Sequence, residues 1–347
     1  MTPRGKKVLR WLGFASFYLV CLLVFLYLTL PLGRAKAKLE AEFNARQKDE
    51  NPLALSIGEL DTYWLSGVEL ENVELVGQAT VGEDGKLTKP ERFSVDSARI
   101  RASILSALAG NLSVAFDAAA FDGTLEGSYS EEDEKKHIQF QAADLGVGKL
   151  PFMQRSIGIP MQGSLAGTVD LYLPGGKFAD SDGTIELELQ ELRVGDGKTK
   201  IRDTIALPEI KAGTLTLKAE AVAGLLTISE LKCDGPDIKI VAAGKIKLRD
   251  PFENSLAEMT LTFEFKDAYR NKNEMTGALL GKPGGPPGVL DLDPKVKRAK
   301  KPDGSYSWRL SGPLSRLKFD PASSLVSPRG GSRNLRNRLN RAGSKPL

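Results

Sequence analysis

The chain has 347 residues, enough to bury roughly three-quarters of its surface around its own core. Its two cysteines and single histidine exclude a disulfide framework, a His-based metal cluster, a Ser/His/Asp triad and a Cys/His pair within the body. The formal charge of +4 is concentrated at the ends: residues 1–38 carry seven Lys or Arg and no acid, and the tail from Ser327 adds Arg329, Arg333, Arg336, Arg338, Arg341 and Lys345. Removing those 13 from 48 basic residues leaves 35 against 44 acidic ones, so the body stands at −9 and the overall basicity is no sign of nucleic acid binding.

Trp11–Leu32 is a run of 22 residues without a charge, set between Arg4, Lys6, Lys7 and Arg10 before it and Arg34, Lys36 and Lys38 after it. At about 1.5 Å per residue a helix of that length crosses a hydrocarbon core of roughly 30 Å, so residues 11–32 are expected to be a transmembrane anchor. A cleaved signal peptide fits less well, because its apolar region runs about 7–15 residues and Lys36 interrupts the small-residue pattern Ala35-Lys36-Ala37. More positive charge precedes the span than follows it, which puts residues 1–10 in the cytoplasm and the body on the far side. In a Gram-negative cell that is a single-pass inner-membrane protein with its bulk in the periplasm. Residues 33–50, rich in Ala, Leu, Glu and Lys, read as a juxtamembrane helix ending before Asn51-Pro52.

From Leu55 the hydrophobic period switches to two. The runs are Ala98/Ile100/Ala102/Ile104, Leu112/Val114/Phe116/Ala118, Ile138/Phe140/Ala142, Leu165/Gly167/Val169/Leu171/Leu173, Ile185/Leu187/Leu189, Leu215/Leu217/Ala219/Ala221, Ile238/Ile240/Ala242 with Ile246/Leu248, and Met259/Leu261/Phe263/Phe265. Strict alternation gives each strand one dry and one wet face. Asp84-Gly85, Pro174-Gly175-Gly176, Asp196-Gly197 and Asp303-Gly304 supply turns. Residues 51–326 are therefore expected to form a mostly β domain, one long antiparallel sheet of about 12–16 strands with helical pieces near Ile104–Ala109 and Pro151–Ser156. Twist of about 20–25° per strand makes such a sheet curl, and 35 glycines with only 7% aromatics favour a thin curled sheet over a thick sandwich. The Pro/Gly/Lys-rich segment Lys282–Ser305 is expected to be a mobile loop before a last hairpin around Trp308 and Phe319, and residues 327–347 a basic disordered tail.

Side chains suited to catalysis are sparse. His137 alternates with Ile138 and Phe140 on the face of Gln139 and Gln141, a solvated strand position. Cys233 sits in a strand pattern, where a buried small hydrophobe is the expected role. Asp180/Asp182 and Asp291/Asp293 fall in loops as solvated turn residues, and Glu131-Glu132-Asp133-Glu134 before Lys135-Lys136 reads as a charged hairpin tip, with calcium as the other option. Gly195-Asp196-Gly197-Lys198-Thr199 lacks the spacing of a phosphate-binding loop. No catalytic, cofactor or metal residue is expected, and no enzyme activity.

The order of these elements resembles a known family. LSIGELDTYWLSGVELENVELVG (Leu55–Gly77), with Trp64, Gly67, Val68, Leu70, Asn72, Val73 and Leu75, resembles the opening of AsmA-like periplasmic proteins. Phe93–Gly127, Leu150–Gly176 and Ile228–Phe265 are similar to stretches of protein N of the type II secretion system (GspN), so that the likeness covers residues 1–320. What it implies is an accessory inner-membrane component of the apparatus that exports folded proteins, built on a curved β-sheet with an apolar concave face. Two functions follow: a non-catalytic scaffold that contacts other secretion subunits, and, as the alternative, an AsmA-like lipid-handling or envelope-homeostasis protein with acyl chains in an apolar groove. The implied partners are the inner membrane, secretion subunits and lipid, with no nucleic acid.

Overall fold

A computed structural model describes residues 31–46, 53–64, 66–77, 90, 92–150, 160–197, 200–201, 205–206, 208–282 and 285–322, with part of 11–29. The expected anchor lies partly outside the described residues. Between Trp11 and Phe25 the described positions are helical, and among the described residues no helix is long and apolar enough to cross a membrane. The expected Asp84-Gly85 turn, the helical piece at Pro151–Ser156 and the tail 327–347 also fall outside.

Helix α1 (Leu32–Arg46) is followed by strands β1 (Ala54–Tyr63), β2 (Gly67–Val76) and β3 (Arg92–Ala102), a short helix α2 (Ile104–Leu108), and strands β4 (Leu112–Ala120), β5 (Gly123–Glu132), β6 (Lys135–Gly146), β7 (Met161–Leu173) and β8 (Asp182–Val194). A two-stranded ribbon, β9 (Lys200–Ile201) and β10 (Ile205–Ala206), stands apart. Then come β11 (Ile210–Val222), β12 (Leu225–Asp234), β13 (Ile238–Lys247), β14 (Leu256–Phe265), helices α3 (Asp267–Arg270), α4 (Glu274–Leu280) and α5 (Pro294–Ala299), and the hairpin β15 (Tyr306–Pro313) and β16 (Lys318–Pro321). Apart from the ribbon, all strands among the described residues join one antiparallel sheet of 14 strands in chain order, and the sheet is not closed. Two-residue turns with both φ positive, Phe121-Asp122, Asp133-Glu134 and Ala223-Gly224, join three of the hairpins. That geometry matches the right-handed twist of paired strands.

The alternation expected from the sequence is not strict. In six strands two apolar residues of the same face stand three apart: Ile57/Leu60, Leu70/Val73, Val95/Ala98, Ala142/Leu145, Leu189/Leu192 and Ile228/Leu231. An odd step would send the later residue to the opposite face, because successive side chains alternate. An extra residue restores it. Across β1, β2 and β3 the extra residues Gly58, Asn72 and Asp96 lie side by side as a bulge row, with Asn72 at φ 51. Asp144 (φ 55) and Glu191 (φ 50) do the same in β6 and β8. The row is tight at Gly58, where an added Cβ would lie 2.8 Å from the Asn72 Cβ. Each bulge bends its strand and strengthens the local twist.

The apolar face is buried most deeply toward its two ends. At one end Val169, Leu171 and Leu173 pack with Ala219, Ala221, Leu226, Ile228, Ile246 and Leu248, against Phe178, Leu314 and Leu317 from 3₁₀ turns and their flanks. Gly224 allows the closing contact there: its amide donates to the Ser181 carbonyl, and an added Cβ would meet the Ala179 oxygen at 1.8 Å. At the other end Tyr269, Leu279 and Leu280 of α3 and α4 cover Leu192, Ile210, Ala212, Cys233 and Ile238. Cys233 is buried there as expected, at 1% exposure.

Residues 282–305, expected as a mobile loop, are largely folded. Val289–Leu292 forms a 3₁₀ turn, and α5 starts on Pro294 with Asp293 as N-cap, its carboxylate accepting from the amides of Lys295 (2.6 Å) and Val296 (3.3 Å). Local capping and Pro at the first helical position outweigh the loop-like composition. Ala299 at 1% and Tyr306 at 2% exposure are the buried products of that folding.

The two faces of β13 and β14 differ testably. Phe263 stacks on Tyr306 (ring centroids 5.4 Å apart) and is paired with Ile240, whereas Lys239 points to solvent. In urea unfolding of the full chain in detergent, Phe263→Asp is expected to destabilise by about 3–5 kcal/mol and Lys239→Gln by less than about 0.5 kcal/mol. Equal losses would show the faces to be assigned wrongly.

Candidate functional surface

The sheet offers three surfaces: an apolar face, a polar face and its edges. Midway along the apolar face Leu187, Leu217, Leu231, Ile240, Met259 and Phe263 are only half-buried, in contrast to the covered residues at its ends. These side chains come from β8, β11, β12, β13 and β14 and share one side because the register pairs Leu187 with Leu217, Leu217 with Leu231, and Ile240 with Phe263.

The polar face carries clefts. One of about 550 Å³ lies over β5–β8 and is lined by Glu126, Ser128, Gln139, Gln141, Thr168 and Asp170. Cross-strand pairing assembles it, with Ser128 opposite Gln139 and Gln139 opposite Asp170, and Glu126 opposite Gln141 and Gln141 opposite Thr168. A neighbouring cleft of about 430 Å³ is lined by Tyr63, Arg99, Arg101, Asp117 and Glu126. Its Arg99 is held charged by Glu69, 2.7 Å away, and lies over the Tyr63 ring at 5.3 Å.

His137 belongs to this polar face but is not simply solvated: its Nε2 lies 2.7 Å from Asp170 Oδ1, and its ring meets Tyr172 edge-on. Gln139 donates to the second Asp170 oxygen at 3.4 Å. The residues between β6 and β7 hide this pairing from a linear reading, since loop length alone does not set which residues face each other. The acidic tip is as expected, a turn at Asp133-Glu134, with the Tyr129 hydroxyl donating to Glu131 at 2.7 Å and its pKa pushed up to about 12 by that bond first and burial second. Asp182 accepts from the Ala223 amide at 2.8 Å, while Asp180 ends a 3₁₀ turn, so the pair does not converge on a ligand. Lys198 and Thr199 lie outside the described residues. Among the described residues no three His, Cys, Asp or Glu side chains gather to hold a metal ion.

Asp291 departs from its expected place in solvent. It is 8% exposed, accepting from Lys300 Nζ at 2.5 Å and from the Tyr306 hydroxyl at 3.0 Å. Asp293 stays at the surface as a helix cap. A second buried carboxylate, Asp237 (6% exposed), accepts from the Lys211 amide at 2.8 Å and from Lys272 Nζ at 3.4 Å. Tyr269, fully buried beside it, donates to the Pro208 carbonyl at 2.8 Å, and burial raises its pKa. These contacts tie the cap to the sheet. No sequence signal distinguishes Asp291 from Asp293; burial of the neighbouring Tyr306 does.

Comparison with known proteins gives no match: no protein-family profile, no curated protein and no solved structure matches the chain.

Burial first, and the bond to Asp291 second, push Tyr306 up to about 12. A folded-state pKa above the ordinary value near 10 means stability that is fully present below pH 10 and lost as pH rises toward 12. Unfolding midpoints measured from pH 9 to 12 are expected to fall, and Tyr306→Phe should remove on the order of 2 kcal/mol of that dependence. Identical slopes for the two proteins would contradict the assignment.

Proposed function

We propose that the chain is a non-catalytic accessory component of the type II secretion apparatus, a single-pass inner-membrane protein whose curled, open sheet stands in the periplasm and holds other subunits on its polar face. The observation that carries this reading is the cleft over β5–β8, whose carboxylates, amides and hydroxyls suit polar and cationic segments of a protein partner. The bulge rows through β1–β3, β6 and β8 support the curl. The anchor is supported by the uncharged run Trp11–Leu32, whose described residues between Trp11 and Phe25 are helical.

A lipid-handling role is the second reading, favoured by the half-buried Leu187, Leu217, Leu231, Ile240 and Phe263 midway along the apolar face. An open groove with that lining would retain acyl chains by burying apolar area.

The two readings separate under substitution on opposite faces. Glu126→Lys with Asp170→Lys reverses charge in the polar cleft and is expected to cut export of type II substrates more than tenfold, for a loss of about 2–5 kcal/mol in partner binding, with the melting temperature little changed. Leu187→Ser with Leu217→Ser is expected to lower stability by about 2–5 kcal/mol. Normal export by the charge-reversal variant, together with loss of co-purifying lipid from a folded Leu187→Ser/Leu217→Ser protein, would select the lipid role instead.

A further inference from the structure

Helix α1 lies along the outer edge of β1 through one row of polar side chains spaced four residues apart. Lys36 Nζ donates to the Gly58 carbonyl (2.8 Å), Glu40 accepts from the Ile57 amide (2.7 Å), and Asn44 accepts from the Leu55 amide (2.8 Å). Helix numbers fall as strand numbers rise, so α1 and β1 are antiparallel and the start of the helix points toward the turn after Tyr63. From the Glu40–Ile57 contact, Leu32 lies eight helical residues away, about 12 Å, while Trp64 lies seven strand residues away, about 23 Å. The end of the sheet therefore overshoots the start of α1 by about 10 Å, on the side from which the uncharged run Trp11–Leu32 arrives.

The side chains at that end are apolar and exposed. Trp64 is 71% exposed, Leu105 and Leu108 of α2 are each 81%, and Ile104 and Leu112 are each 48%. Register puts them together: Tyr63 pairs with Gly67, Gly67 with Arg101, and Ala102 with Val114, so the β1–β2 turn, α2 and the start of β4 share one end of the sheet. Trp64, Ile104 and Leu105 line a common cleft of about 380 Å³ with Arg101. Arg34, Lys36 and Arg101 are the cations nearest this end on α1 and β3, and the acidic turn Asp133-Glu134 bounds it on the side of β5–β6.

We infer that Trp64 and the exposed leucines of α2 insert into the outer leaflet of the membrane that holds the anchor, so that the sheet is docked on the bilayer at this end as well as tethered to it. The overshoot of about 10 Å matches the roughly 5–10 Å to which interfacial amphipathic segments sink, Trp is the residue favoured at that depth, and the flanking Arg34 and Arg101 meet lipid phosphates. The docking rests on the anchor reading, and it fixes the orientation in which the polar clefts are offered to partners.

The test uses the full chain reconstituted into phosphatidylcholine/phosphatidylglycerol vesicles. Trp11→Phe with Trp308→Phe leaves Trp64 as the sole tryptophan, and lipids brominated near the top of the acyl chain report contact by quenching. The expected result is flotation with the vesicles and at least about a twofold loss of Trp64 emission, abolished by Leu105→Glu with Leu108→Glu while flotation persists. A nitroxide on Leu105→Cys, in a Cys21→Ser background with Cys233 left buried, gives an independent reading: greater access to oxygen than to a water-soluble nickel chelate supports the insertion. Flotation without quenching, with the nitroxide open to nickel, overturns the docking and leaves the anchor standing. Failure to float overturns the anchor and the docking together. Protection of Trp64 that depends on protein concentration in detergent and not on lipid would mean a second copy covers the patch, and overturns the proposal.

Discussion

In a strand successive side chains point to opposite faces, so one extra residue sends every later apolar side chain to the wrong side unless the backbone absorbs it. The 14 strands of the main sheet have to obey this together, since each is held by its neighbours and the sheet never closes to support itself. Gly58, Asn72 and Asp96 show how the condition is met: three neighbouring strands each take up one additional residue at the same level, and Ile57, Leu60, Val73, Leu70 and Val95 end on a common face. Glycine at 58 admits the approach of Asn72, and an Asn tolerates the positive φ at 72 better than a branched residue would. The same device in β6 and β8 carries the single apolar face across the molecule.

An open sheet also has edges, whose unpaired N–H and C=O groups recruit other strands. The edge of β1 is covered by side chains of α1 rather than by another strand. Lys36, Glu40 and Asn44 satisfy the backbone of Leu55, Ile57 and Gly58, so α1 is at once the cover of an edge and the link between the sheet and the apolar run before it. The last strand is treated differently: β16 has four residues and ends on Pro321, which has no amide to offer. Shortness there does what a covering helix does at the other side.

Among the described residues the two buried carboxylates, Asp237 and Asp291, both stand where the cap meets the sheet. Asp291 with Lys300 and Tyr306, and Asp237 with Lys272, are paired and hydrogen-bonded, the condition under which a buried carboxylate is tolerated. Three surfaces are not enclosed: the polar clefts over β3–β8, the half-buried middle of the apolar face and the apolar end at Trp64 and α2. The cleft at Arg99 and the apolar end meet at Arg101, which lines both.

Much of this was legible in the sequence because alternation is a local property. Runs such as Ile138/Phe140/Ala142 and Met259/Leu261/Phe263/Phe265 name strands with one dry face wherever they occur, and Ile104–Leu108 was recognisable as a helical interruption. Tertiary structure alone decided what depends on register between segments distant along the chain. The three-residue steps at Val95/Ala98 and Ala142/Leu145 look like breaks in a strand until neighbouring strands show them to be bulges. His137 acquires Asp170 because β6 and β7 align across a long connection, and Asp291 differs from its neighbour Asp293 only because the cap buries one and leaves the other at a helix start. Periodicity records how a residue lies relative to its own backbone; which residues meet, and which are removed from water, is settled by pairing and packing over the whole sheet.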